Sequence, residues 1–147
     1  MAKCPFCNEE ISYLEKTLGG YMELDIKFMA EKDELEDYWV NEVEYRIFRC
    51  PKCREAMPFK EDDEAEAFLK GELVVLTEEE LESVKRYGEY VLVGDQVYEI
   101  KAEGVDVDEF YEEEYGIEIG SEYEGTLVIA RKVEDDVKAS IIKAIMN

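Results

Sequence analysis

The only cysteines of this 147-residue chain fall in two pairs, Cys4-Pro5-Phe6-Cys7 and Cys50-Pro51-Lys52-Cys53, with 42 residues between them. A C-x2-C turn aims two thiolates at one point, and two such turns supply the four soft ligands of a closed tetrahedral zinc site. Cys4, Cys7, Cys50 and Cys53 are therefore the candidate ligands of one structural Zn2+ ion. Such a site keeps no open position for water or substrate, so the ion would brace the fold and leave any chemistry elsewhere. Two other readings exist. Intracellular hyperthermophile proteins carry disulfides, and a single C-x2-C such as Cys4/Cys7 can cycle as a redox dithiol. The redox reading lacks its usual setting, a C-x2-C that opens a helix after a strand of a parallel β-α-β unit.

Other catalytic chemistry has little to stand on. The chain has no histidine, which removes the commonest general base and every Ser-His and Cys-His pair. No phosphate-binding, dinucleotide or nucleophile-elbow motif occurs. With 39 acidic residues, two neighbouring carboxylates are expected by chance alone. Asp106, Asp108, Glu112, Glu113 and Glu114 do not follow the spacing of a calcium loop, so no hard-cation site is expected there. The chain reads as non-enzymatic.

Composition sets the class. At 46% hydrophobic and 38% charged the chain is globular, and no apolar run approaches the ~18 residues of a membrane span. Lys3 runs directly into Cys4 and then into acidic residues, unlike a secretory leader. A soluble, cytoplasmic protein is expected. Charge comes chiefly from 29 Glu and 12 Lys, against 10 Asp and 5 Arg, with a single glutamine, Gln96, a balance typical of thermophiles.

The net charge of −22 is unevenly placed: residues 1–60 carry 9 basic and 13 acidic side chains, and residues 61–147 carry 8 and 26. The C-terminal part is a polyanion that repels phosphate backbones and favours basic protein partners. Its acidic stretches, Glu61 to Glu66, Glu78 to Glu82, Asp108 to Glu114 and Glu134 to Asp136, could imitate the phosphates of DNA on a basic channel. A solvated thermophile surface is the plainer explanation. Against this background Arg46, Arg49, Lys52 and Arg54, with Lys60, gather around the second cysteine pair. They are either a nucleic-acid contact patch or the counter-charge for a −2 zinc tetrathiolate and the acidic half, and the second is favoured.

The elements that would position the cysteines follow from periodicity. Ile11 to Leu18 leads to a Gly19-Gly20 break. Met22, Leu24, Ile26 and Phe28 then alternate with Glu23, Asp25 and Lys27 as a half-buried strand. Ala30 to Asp37 is a charged loop. Tyr38 to Arg49 alternates again, with Trp39, Val43, Tyr45 and Ile47 on one face, and runs straight into Cys50. Trp39 reads as cover for a small core.

Beyond a boundary near Lys60, a helix over Asp62 to Leu69 is closed by Gly71, and Leu73 to Leu76 is a buried strand. Thr77 and Glu80 form a capping box that opens a helix through Leu81 and Val84 to Tyr87, stopped by Gly88. Tyr90 to Val93 and Val97 to Ile100 form a hairpin across Gly94-Asp95. Asp108 caps a short helix that ends at Gly116, and Ile117 to Ile119 is a short strand. Gly120 to Gly125 is a loop and Thr126 to Val133 a strand. Asp135 to Met146 is a helix with Val137, Ile141, Ala144 and Ile145 on its buried face. No internal repeat is evident.

At the two cysteine pairs, Cys4-Pro5-Phe6-Cys7-Asn8-Glu9-Glu10-Ile11 and Arg49-Cys50-Pro51-Lys52-Cys53, the chain resembles the zinc-ribbon superfamily and is similar to small archaeal zinc-ribbon proteins. The resemblance covers about residues 1–60 and matches the four cysteines to the family's ligand positions. It implies an association with transcription, translation or replication machinery, where ribbons serve as protein-docking and nucleic-acid modules alike. Many ribbons place Gly after the second cysteine of each pair. Here Asn8 and Arg54 stand there, and a distorted second turn is expected because Arg tolerates the left-handed conformation poorly.

The expected protein is thus α+β: an antiparallel zinc β-ribbon over residues 1–60, then an acidic α+β domain over residues 61–147. The acidic half is expected to dock on a basic protein surface. A nucleic-acid-binding regulator using Arg46, Arg49, Lys52 and Arg54 is the alternative, and a C-x2-C redox protein the third.

Overall fold

Short alternating segments make the antiparallel strands of this chain, and the computed structural model describes residues 2–20, 24–29 and 43–146. Its first part contains β1 (Ala2–Lys3), β2 (Glu10–Ile11), β3 (Leu14–Gly20), β4 (Leu24–Phe28), β5 (Val43–Arg49) and β6 (Ala56–Met57). Next come α1 (Asp62–Leu69), β7 (Leu73–Thr77), α2 (Glu78–Ser83), β8 (Lys85–Tyr87), β9 (Tyr90–Val93) and β10 (Gln96–Val105). The chain continues through α3 (Val107–Tyr115), β11 (Leu127–Lys132) and α4 (Asp135–Met146). The strands form three antiparallel sheets, β1-β2, β4-β3-β5-β6 and β7-β11-β10-β9-β8. The α+β class read from the sequence is the class found. No described helix is long and apolar enough to cross a membrane.

Several elements stand where the pattern placed them. In β4 Phe28 is buried while Asp25 and Lys27 face solvent. Met22, Glu23, the 30–37 loop and Trp39 lie outside the described residues. The capping box of α2 is present, with Thr77 Oγ1 accepting from the Glu80 amide at 3.2 Å. The β9–β10 hairpin pairs Val93 with Gln96 across Gly94-Asp95. On α4, Val137, Ile141, Ala144 and Ile145 are half-buried, and no residue of that helix is fully covered.

Other expectations need correction, each for a local reason. Gly19-Gly20 does not break the chain: β3 runs through both and is an inner strand, paired with β4 and β5. Gly19 is used because Tyr45 lies opposite it on β5, its ring occupying the space a Cβ would need. The helix from Thr77 stops at Ser83 instead of Tyr87. Val84 turns extended, and Lys85–Tyr87 pairs with β9, where the ladder supplies the hydrogen bonds that another helical turn would have made. The cap of α3 is Asp106, whose Oδ1 accepts from the Glu109 amide at 3.1 Å, while Asp108 Oδ1 accepts from the Ser121 amide at 3.0 Å. Ile117 to Ile119 joins no ladder. It begins an irregular strap over residues 117–125.

The core crosses residue 60. In the five-stranded sheet Leu73 and Val75 of β7 share a buried cluster with Leu127 of β11. The alternate residues Leu76, Val128 and Ala130 belong to a smaller cluster on the opposite face, as a two-residue period requires. The first cluster also contains Leu14, Phe28, Ile47, Phe48 and Met57 from the N-terminal strands, together with Phe68 and Tyr111. A row of rings links them: Phe28 to Phe48 at 5.3 Å between centroids, Phe48 to Phe59 at 6.2 Å and Phe59 to Phe68 at 5.3 Å. Lys16, wholly buried, sets its ammonium 5.4 Å and 5.7 Å from the Phe28 and Phe48 ring centres and pairs with Asp62 of α1 at 2.6 Å.

Tyr111 is the largest wholly buried side chain among the described residues. From α3 its hydroxyl donates to the Met57 carbonyl at 2.6 Å and accepts from the Phe48 amide at 3.4 Å. Phe48 and Met57 form one of the two residue pairs that join β5 to β6, so this phenol plugs the base of the hairpin that carries Cys50 and Cys53. Burial pushes its ionisation far above the usual tyrosine range.

Tyr111→Phe would remove the hydroxyl's bonds to the Phe48 amide and to the Met57 carbonyl, which keeps the Phe59 amide as a donor, at a cost of about 1–3 kcal/mol. The expected readout is a lower denaturant midpoint at unchanged slope, and an unchanged midpoint would contradict this role. Because the folded-state pKa is raised, the phenol's contribution is complete below an unfolded value of ~10 and is lost as pH rises beyond it. The Phe variant should therefore lose less stability in alkali than the wild type does.

Candidate metal centre

Each cysteine pair sits at the tip of a two-residue-a-side hairpin. β1 and β2 pair Ala2 with Ile11 and Lys3 with Glu10; β5 and β6 pair Phe48 with Met57 and Arg49 with Ala56. The second set is the first with every residue number advanced by 46, so the chain contains a structural repeat over 2–11 and 48–57 that was not evident in its sequence. The repeat extends to the hydrogen bonds. Cys4 N–H donates to Glu9 O at 3.0 Å and Asn8 N–H to Cys4 O at 2.9 Å; Cys50 N–H donates to Glu55 O at 3.0 Å and Arg54 N–H to Cys50 O at 2.9 Å.

Asn8 and Arg54 both take the left-handed conformation, at φ 61° and 68°. The second turn is therefore not distorted relative to the first. Arg54 accepts a strain of about 1 kcal/mol in a conformation that favours Gly, and its guanidinium pairs with Glu15 of β3.

The two hairpins face one another. Cys4 Sγ lies 3.7 Å from Cys53 Sγ and Cys7 Sγ 3.8 Å from Cys50 Sγ, so the first cysteine of each turn meets the second of the other. All four sulfurs fall within 4.8 Å of one another, with Cys4 and Cys50 buried and Cys7 and Cys53 half-buried. A tetrahedron with metal–sulfur bonds of about 2.3 Å has edges of ~3.8 Å, which is the spacing of the two facing pairs. The donor set fits one soft metal ion.

The surroundings favour thiolates only in part. Burial pushes the Cys4 thiol far up and outweighs the Cys7 and Phe6 amides directed at it. Burial likewise raises Cys53, to about 11, against the Glu55 amide. At Cys7 burial is opposed by the Glu9 amide and by the thiols of Cys4, Cys50 and Cys53, and the net shift is downward. The Lys52 amide donates to Cys50 Sγ at 3.4 Å. A central cation would overcome the desolvation at Cys4 and Cys53, displacing their protons.

The basic residues near the second turn are already engaged. Lys52 approaches Glu9 at 3.7 Å, Arg54 pairs with Glu15, and Lys60 pairs with Glu114 at 3.1 Å. Arg49 Nη1 donates to Thr17 Oγ1 at 3.3 Å. Arg46 and Arg49 are three residues apart in a regular ladder with β3, so they leave opposite faces of β5.

The strap joins the centre to the rest of the chain. Ser121 Oγ donates to Glu55 Oε2 at 2.8 Å and the Glu122 amide to Glu55 Oε1 at 3.1 Å, which ties the strap to the second turn. Tyr123 packs edge-on against Phe6 of the first turn, 5.2 Å between centroids. Sequence reasoning missed Glu55, Ser121 and Tyr123 because an irregular segment has no period to betray which side chains it turns inward. No family model, no curated protein and no solved structure matches this chain.

Titration of the metal-free protein with Cd2+ should produce a thiolate charge-transfer absorption that saturates at one equivalent and releases protons. Its apparent affinity should fall as pH is lowered. Cys50→Ser should lower that affinity by about 100-fold or more. Saturation at two equivalents, or an unchanged affinity in the Ser variant, would contradict a single four-sulfur centre.

Proposed function

We propose that this chain is a zinc-ribbon interaction protein. One structural Zn2+ on Cys4, Cys7, Cys50 and Cys53 holds the paired hairpins, and the acidic C-terminal half docks on a basic protein surface. A closed four-thiolate set is the usual ligand set of structural zinc and leaves no coordination position for substrate. The protein then acts by contact and not by catalysis.

The observation that carries the docking reading is how charge is divided among elements. Residues 61–84 and 106–126, which include α1, α2, α3 and the strap, hold 19 acidic side chains and one basic one. Residues 85–105 and 127–147, which include β8 to β11 and α4, hold seven of each. A thermophile's solvated surface would spread both signs, whereas a concentrated negative field speeds association with basic partners and is weakened by salt. A basic surface that otherwise holds nucleic acid, in transcription or related machinery, is the partner class this field suits.

The nucleic-acid reading through Arg46, Arg49, Lys52 and Arg54 has less support, since Lys52 and Arg54 are paired with glutamates and Arg46 and Arg49 leave opposite faces. The redox reading also has less support, because neither C-x2-C opens a helix.

Affinity capture with the tagged, zinc-loaded chain, with and without nuclease, tests the docking reading. The expected result is a basic protein retained after nuclease and released as salt is raised from about 0.1 M to about 0.5 M. Recovery that disappears with nuclease would overturn it in favour of direct nucleic-acid binding.

A further inference from the structure

A cleft of about 440 Å³ separates the first cysteine turn from α2, within the range of about 300–1,000 Å³ typical of small-ligand sites. We propose that it receives a basic side chain, arginine or lysine, presented by the partner protein. The inference rests on the docking reading above and gives that reading an address.

Two kinds of group meet in the cleft. On one side lie Pro5 and Phe6, at the tip of the first turn, with Tyr123 of the strap set edge-on to Phe6 at an interplanar angle of 62°. On the other lie Glu79 and Glu80 in the first turn of α2. Glu80 is partly committed, since its Oε1 accepts from the Thr77 amide at 3.4 Å and from Thr77 Oγ1 at 3.3 Å. Glu79 is exposed and makes no ion pair among the described residues. Among the described residues Lys3 is the one cation lining the cleft, so its carboxylates outnumber its positive charge.

Aromatic faces beside carboxylates form an environment for a cation. A ring attracts positive charge through its quadrupole, and a carboxylate takes the charge and the N–H donors. A guanidinium suits both at once, because it is planar, stacks on aromatic faces and presents paired donors to a carboxylate. An anion would be repelled by Glu79 and Glu80. An uncharged apolar group would leave the charge of Glu79, exposed at the same wall, to be desolvated without compensation. Tyr123 senses these glutamates: burial raises its hydroxyl pKa, and the negative charges of Glu78, Glu80 and Glu79 raise it further.

The test uses the zinc-loaded full chain and a capped Gly-Arg-Gly-Arg-Gly peptide as the probe, followed by NMR titration. The arginine peptide should shift the Phe6, Tyr123 and Glu79 resonances, and a citrulline peptide of the same length should not. Glu79→Gln should weaken binding about fivefold and Lys3→Gln should strengthen it by a similar factor. Glu112→Gln, an equal charge change on the exposed side of α3, should leave it within about twofold. Binding of the citrulline peptide, no binding of the arginine peptide, or equal losses in the Glu79 and Glu112 variants would each overturn the cleft as the receptor. The last of these outcomes would leave docking by the diffuse acidic field standing, whereas nuclease-sensitive capture would remove the docking reading itself.

Discussion

Four sulfurs held within 4.8 Å of one another are the constraint on which the rest of this structure depends. Four thiolates that close repel one another strongly unless a cation sits among them, and four thiols would leave a poorly filled polar centre. The chain brings them together with two copies of one device, a C-x2-C turn closed by the same pair of backbone hydrogen bonds. Long pairing of β3 with β5 then sets one copy against the other. An isolated pair of such hairpins has little apolar surface to bury, so a bound ion would supply cohesion that side chains alone do not.

The C-terminal half is not a passenger on this arrangement. Tyr111 of α3 satisfies backbone groups at the base of the second hairpin, and the strap holds Glu55 on one turn while laying Tyr123 on the other. The ring row from Phe28 to Phe68 and the ion pair of Lys16 with Asp62 carry packing and charge across residue 60. The acidic helices are consequently presented from a frame that includes the cysteine centre, and the cleft between the first turn and α2 lies at their junction.

Much of this was legible in the sequence where a local rule was decisive. The cysteine spacing pointed to the four sulfurs that now converge, the Thr77 and Glu80 capping box marked the start of α2, and Gly94-Asp95 marked its hairpin. What was not legible depended on distant partners. Gly19-Gly20 looks like a break until Tyr45 is seen across the ladder. Lys85 to Tyr87 continues a helical pattern until β9 offers a better set of hydrogen bonds. Asp108 is the cap the sequence suggests, but the helix starts at Val107 with Asp106 as its cap, while Asp108 accepts from the distant Ser121 amide. The hairpin repeat was hidden because its two copies share little beyond Cys, Pro and one Glu.

The central claim is that the cysteine centre and the acidic half form one cooperative unit. Amide hydrogen exchange across the whole chain, with metal bound and after chelation, tests it most directly. The expected result is that β5 and β6 lose protection together with α3, β7 and β11. Loss confined to residues 2–57, with β7, β11 and α3 as protected as before, would contradict it.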